Sequence, residues 1–128
     1  MNKKVLLTDD DEVILKIGKF NLEKAGYEVF TASNGQDAVE RSRDIKPDLI
    51  ILDIMMPIMD GYTALLKLKG YEETRDIPIV ILTAQEGDVY KKISGEMGAI
   101  EHLNKPFNPN DLVEKVNSIL GAEGLDRK

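Results

Sequence analysis

Three aspartates in a row, Asp9, Asp10 and Asp11, follow the apolar run Val5–Leu7 in the segment VLLTDDDEVI. Adjacent carboxylates repel one another, so such a run calls for a cation that offsets it. Three other polar residues stand in the same relation to an apolar run. Asp53 follows Leu49–Leu52, Thr83 follows Ile79–Leu82, and Lys105 comes after Ala99–Leu103. If these runs are strands of a parallel sheet, their carboxyl ends share one rim, where the ligands of such sheets bind. Carboxylates delivered there from two strands suit a hard divalent cation. Magnesium takes one or two carboxylates together with water and phosphate oxygens. Lys105 suits the same task as a point charge beside a phosphate, and Thr83 as a hydrogen-bond donor to one of its oxygens. Calcium competes through the D-x-D spacing of Asp9 and Asp11, but the glycine and distal glutamate of an EF-hand loop do not follow.

The elements that must position these residues alternate along the chain. Runs rich in β-branched residues and leucine recur at Val5–Leu7, Tyr27–Thr31, Leu49–Leu52, Ile79–Leu82 and, more weakly, Ala99–Leu103. Three of them are solidly apolar, the pattern of strands covered on both faces. Segments of helical period lie between them. In the first, Val13, Ile14, Ile17 and Phe20 share a face, and Gly26 is a natural stop. Asn34-Gly35 opens the second, where Ala38, Val39, Ser42 and Ile45 keep the period until Pro47. Asp60-Gly61 caps a third that carries Ala64, Leu65 and Leu68. The fourth, around Val89, Ile93 and Met97, is poor in apolar residues and flanked by Gly87, Gly95 and Gly98, so it is expected to be the least stable. The last starts at Asn108-Pro109 and buries Leu112, Val113, Val116, Ile119 and Leu120 before Gly121. Residues 122–128 are expected to fray. Five strands alternating with five helices predict an α/β fold: a five-stranded parallel sheet, doubly wound, in three layers.

Composition bounds the function classes. A chain of 128 residues, 42% hydrophobic and 31% charged, is that of one folded globular domain over residues 1–128. The formal net charge of −6 argues against direct nucleic-acid binding. No apolar run reaches the length of a bilayer span, and no signal-peptide pattern opens the chain. The absence of cysteine rules out disulfides and fits a reducing compartment, so a cytoplasmic location is expected. There is no G-x-x-x-x-G-K segment for a nucleotide and no glycine-rich turn after the first run. Tyr62, Tyr71 and Tyr90 show no stacking pattern, and Met55, Met56 and Met59 read as gap fillers beside the third helix.

The motifs LLTDDDE, LIILDIMMPIMDG, VILTAQ and LNKPF, in that order within residues 2–121, resemble those of receiver domains of two-component response regulators. The resemblance implies a flavodoxin-like strand order, 2-1-3-4-5, and a place in a phosphorelay. It implies that Asp53 is the nucleophile that accepts a phosphoryl group. Asp10 and Asp53 would ligate Mg²⁺ directly, helped by the backbone carbonyl of Met55, while Asp9 would act largely through a coordinated water. Thr83 and Lys105 would bind the phosphoryl oxygens. Asp11 stays outside this set and reads as a charge complementing a helix N-terminus. The donor would be a phosphohistidine on a sensor histidine kinase or a histidine phosphotransfer protein, attacked in line. Such a chain is a signalling phospho-acceptor, not an enzyme on other substrates; it catalyses only its own phosphorylation and dephosphorylation.

Output in this family runs through Thr83 and an aromatic residue three positions before the lysine, on the fifth strand. That position is His102 here, the only histidine in the chain. It reads either as a plain surface residue or as a switch whose charge makes the response pH-dependent. Met55 is expected to shield the acyl phosphate from water, with Gln85 partly offsetting it by placing one. The Lys105-Pro106 bond is expected to be cis by resemblance. A downstream protein target would use the face of the fourth helix, fifth strand and fifth helix (α4-β5-α5), and a phosphorylation-dependent dimer through that face is open. The Met1 start and polar tail lead us to expect a complete, stand-alone receiver with no membrane attachment. Three other readings compete. A degenerate receiver would serve only as a scaffold. A flavodoxin-like carrier would need a phosphate cradle where this chain has carboxylates. A phosphatase of the haloacid dehalogenase kind would need a second acid where Met55 stands.

Overall fold

Each of the five runs becomes a parallel strand in a computed structural model that describes residues 2–54, 59–83 and 95–121. The strands are β1 (Lys4–Thr8), β2 (Glu28–Ala32), β3 (Leu49–Asp53), β4 (Ile79–Thr83) and β5 (Glu101–Asn104). Their order is β2-β1-β3-β4-β5. Val5 lies beside Val29 on one side and Leu49 on the other, Ile50 beside Ile79, and Ile81 beside His102. Helices α1 (Glu12–Lys24), α2 (Gly35–Ile45), α3 (Gly61–Gly70) and the C-terminal helix Pro109–Val116 cover the two faces.

The continuous apolar runs are explained by two cores. Leu6, Ile50, Leu52, Ile79 and Ile81 pack with Ala38 and Val39 of α2 and with Ala64, Leu65 and Leu68 of α3. The alternate residues Val5, Leu7, Leu49, Ile51, Val80 and Leu82 pack with Leu22 of α1 and with Leu112 and Val116 of the C-terminal helix. The three central strands are thus buried on both faces, each leucine or isoleucine contributing roughly 1.5–3 kcal/mol of transfer free energy. Edge strands β2 and β5 expose Glu28 and Glu101.

The helix starts follow the side chains expected of them. The Asn34, Asp60 and Asn108 side chains accept from the backbone N–H of Asp37, Thr63 and Asp111, at 2.8, 2.8 and 3.1 Å. Asp11 does the same for Val13 at 2.9 Å, so it is the cap of α1. After α2, Lys46 takes a left-handed conformation with φ 54°, and Pro47 prevents continuation.

Two expectations need correction. The face of α1 formed by Val13, Ile14, Ile17 and Phe20 is not its buried one: Val13 is 61%, Ile17 43% and Phe20 65% exposed, and Ile14 half-buried. The helix rests on the sheet through Leu15, Gly18, Leu22 and Ala25, the opposite stripe. Gly18 sets that choice, because a Cβ there would come within 2.6 Å of Leu7 Cδ2, closer than real Cβ atoms come. The C-terminal helix also does not run on as plain α-helix to Leu120. It widens into a π turn at Asn117–Gly121, where Asn117 Oδ1 accepts from the Tyr27 hydroxyl. Of the segment expected around Val89, Ile93 and Met97, Gly95, Glu96 and Met97 are described, and Met97 packs against the α2–α3 core.

Candidate functional site

The alternation that builds the second core carries on past the strand ends. Val5 and Leu7 face α1 and the C-terminal helix, and Asp9 is next in that series. Asp53 follows Leu49 and Ile51 in the same sense, and Lys105 follows Leu103. Three strands therefore aim two carboxylates and an ammonium at one point of the rim.

The distances show them meeting. Asp9, Asp10 and Asp53 each present a carboxylate oxygen within 4.8 Å of the others. Lys105 Nζ lies 2.8 Å from Asp9 Oδ2 and 3.3 Å from Asp53 Oδ2. The Asp9 and Asp53 side chains are 0% and 4% exposed and that of Lys105 18%, while Asp10 is open to solvent. The Asp9 contact is close but poorly directed for a hydrogen bond, so it is an ion pair first. Asp9 Oδ1 accepts from the Asp11 backbone N–H at 3.0 Å, which fixes the carboxylate from its other side. Burial alone would lower the Lys105 pKa, but contact with Asp9 and the field of Asp53 outweigh it, and the net shift is upward.

The repulsion posed by the aspartate run is thus offset internally, by an ammonium between two carboxylates. The donor set is all oxygen, and an ammonium already bridges two of its three carboxylates, Asp9 and Asp53. Such a set could hold a hard divalent cation such as Mg²⁺. Thr83, buried at the end of β4, reaches the same rim one strand over, and its carbonyl accepts from the Lys105 N–H at 2.8 Å. Strand alternation puts its side chain in series with Ile79 and Ile81, towards the α2–α3 layer. The peptide bond from Lys105 to Pro106 is cis. His102 is half-buried on β5; its neighbour Glu101 makes a 3.1 Å ion pair with Lys115. Met55, Met56, Gln85 and Tyr90 lie outside the described residues.

Residues 5–117 match the response regulator receiver domain family. The chain belongs to that family. The receiver domain is 40% identical over 120 residues to the alkaline phosphatase synthesis transcriptional regulatory protein PhoP of Bacillus subtilis, covering 94% of this chain and 49% of that protein. It therefore spans about half the length of this curated relative. Among solved structures it is similar to the chemotaxis protein CheY4 of Vibrio cholerae (TM-score 0.89, 32% identity, 94% of this chain and 100% of that one). It is also similar to the receiver domain of the sensor histidine kinase PA1611 from Pseudomonas aeruginosa, which holds a magnesium ion in its active-site cleft (TM-score 0.83, 28% identity, 95% and 100% covered). Among the described residues no helix is long and apolar enough to cross a membrane.

Sequence reasoning missed one surface of the receiver domain. Ile14 and Ile17 of α1 meet Pro106, Phe107 and Pro109 beside Lys105 to form an apolar recess of about 150 Å³. Its signal is the Val13–Ile17–Phe20 spacing, an apolar face of α1 that stays open to solvent.

Proposed function

We propose that this receiver domain is a phosphorylation switch of a two-component phosphorelay. Asp53 accepts a phosphoryl group from a phosphohistidine of a sensor histidine kinase or a histidine phosphotransfer protein. Asp10, Asp53 and the Met55 carbonyl would hold Mg²⁺, and Asp9 would act through a water. The observation that carries this reading is the buried Asp53 carboxylate, 3.3 Å from Lys105 Nζ and clustered with Asp9 and Asp10.

Bound there, Mg²⁺ supplies charge neutralisation for a phosphoryl group in transfer. The rest falls to the chain. An Asp53 oxygen attacks phosphorus as the bond from phosphorus to the imidazole nitrogen breaks, and the electron pair returns to the imidazole. Lys105 exchanges a carboxylate partner for a phosphoryl oxygen, and Thr83 donates to another. Burial of Asp53 keeps bulk water from the acyl phosphate, and Met55 is assigned the same shielding role. Thr83 and His102 carry the change to the fifth strand. The face expected from the fourth helix, β5 and the C-terminal helix then serves a downstream protein target or a second phosphorylated copy.

The surface beside the site suits a protein donor. The recess next to Lys105 takes an apolar side chain, and the exposed Val13, Ile17 and Phe20 extend the patch along α1.

Incubation with Mg²⁺ and acetyl phosphate, read by intact mass, tests the chemistry. The parent should gain one phosphoryl group and Asp53→Asn none. Equal labelling of Asp53→Asn would refute the assignment of the acceptor.

A further inference from the structure

Helix α3 begins directly behind the proposed acceptor. The Gly61 N–H donates to the Ile54 carbonyl at 2.8 Å. A Cβ built on Gly61 would lie 2.4 Å from the Asp53 carbonyl oxygen, 2.6 Å from Ile54 Cα and 3.0 Å from the Asp53 carbonyl carbon. All three atoms are backbone, so no side-chain rotation relieves the clash. The backbone angle of Gly61 does not explain glycine there, since its φ is outside the left-handed region. A helical residue with ordinary angles is better served by alanine. Space against Asp53 explains it. The helix cannot retreat easily, because Ala64, Leu65 and Leu68 are fully buried in the α2–α3 core and Asp60 caps its first turn.

We propose that Gly61 is a positioning residue for the acceptor: its missing Cβ lets α3 bear on the backbone of Asp53 and Ile54, fixing the Asp53 carboxylate against Asp9, Asp10 and Lys105. The proposal rests on Asp53 being the phosphorylation site. An added Cβ must push the Asp53 carbonyl by about 0.6 Å to reach even a 3.0 Å contact, beyond the roughly 0.5 Å within which a reactive constellation works. The backbone shift carries the carboxylate with it. Asp9, which follows β1, does not move with it, so the spacing of the two carboxylates that Lys105 bridges changes.

Gly70 provides the control. It closes the same helix, and a Cβ there meets nothing within 4 Å. Gly61→Ala and Gly70→Ala would be compared with the parent in three measurements: urea unfolding without metal, Mg²⁺ affinity by calorimetry without a phosphoryl donor, and labelling by acetyl phosphate at saturating Mg²⁺. For Gly61→Ala we expect a folded protein whose Mg²⁺ affinity falls about 10-fold and whose labelling rate falls about 10- to 100-fold. Gly70→Ala should match the parent in both. In metal-free protein, the Ile54 amide resonance should move in Gly61→Ala and stay in Gly70→Ala, since that N–H is bonded to Leu82. A folded Gly61→Ala with parental affinity and labelling overturns the proposal. So does global unfolding of both Gly61→Ala and the double variant with Gly70→Ala, which would make the contact a requirement of the fold. A parent that takes no label at Asp53 would instead refute the underlying function.

Discussion

Lys105→Met removes the ammonium that bridges Asp9 and Asp53 while keeping most of the side chain's volume. At 2.8 and 3.3 Å, with an effective dielectric constant of about 20, each contact carries roughly 5–6 kcal/mol of Coulomb attraction. Desolvation cancels much of this, and breaking a buried pair by deleting one partner costs about 3–5 kcal/mol. Lys105 keeps 18% of its side chain exposed, so the lower end applies. We expect a loss of about 3 kcal/mol at neutral pH in the presence of a chelator, a fall in the urea midpoint of roughly 2 M. Mg²⁺ should then recover stability in the variant by about 1 kcal/mol or more beyond its effect on the parent, because no ammonium competes for the carboxylates. Urea titrations of both proteins, with chelator and with Mg²⁺, give the four numbers needed. A chelator-state loss below about 1 kcal/mol, or equal Mg²⁺ increments in the two proteins, would refute the idea that Lys105 is the internal counter-ion of the site.

The orientation of α1 is tested by a pair of substitutions: Phe20→Ser, on the exposed stripe, should change unfolding free energy by less than about 0.5 kcal/mol, whereas Leu22→Ala should cost about 2–5 kcal/mol. Gly18→Ala should cost about 1–3 kcal/mol by forcing Leu7 off its position, read in the same titration. Glu101 is held below its usual carboxylate range, chiefly by its hydrogen bond to Lys115. Its contribution should therefore be present above the unfolded pKa of about 4.3 and vanish as the pH falls through the folded value. Both partners are partly exposed, so Glu101→Gln should cost no more than about 0.5 kcal/mol at pH 7 and nothing at the acid end, checked by unfolding across pH.

What could be seen in the sequence was what strand geometry makes local. A strand buried on both faces has to be apolar throughout, so β1, β3 and β4 announced themselves, and the residue after each run had to sit at the rim. Asn34, Asp60 and Asn108 were equally legible because a cap is bonded within its own first turn. The face of α1 was not. That helix carries two apolar stripes, and the choice between them depends on Leu7 and Leu112 lying over Gly18, contacts between segments far apart in the chain. Glycine reads as a weak point in a helix; here it is the point of closest approach. The recess at Phe107 was hidden for the same reason, since residues 14–17 and 105–109 become neighbours only in the fold. The π turn likewise meets Tyr27 at Asn117, a contact between residues far apart in the sequence.

The two constraints on Asp53 differ in kind, and the difference bears on how a phosphoryl group would be signalled. From α3 the contact is backbone against backbone, with no rotatable bond to absorb a change. From β5 it is the end of a four-carbon side chain, which can change partners at the cost of rotamer freedom alone. New charge at Asp53 is thus most cheaply accommodated on the β5 side. Lys105 is tied there by its own N–H to the Thr83 carbonyl, and β4 and β5 are paired along Ile81 and His102. In the proposed switch the response accordingly leaves the site through the β4–β5 edge, while α3 serves as the fixed wall against which Lys105, Thr83 and His102 rearrange.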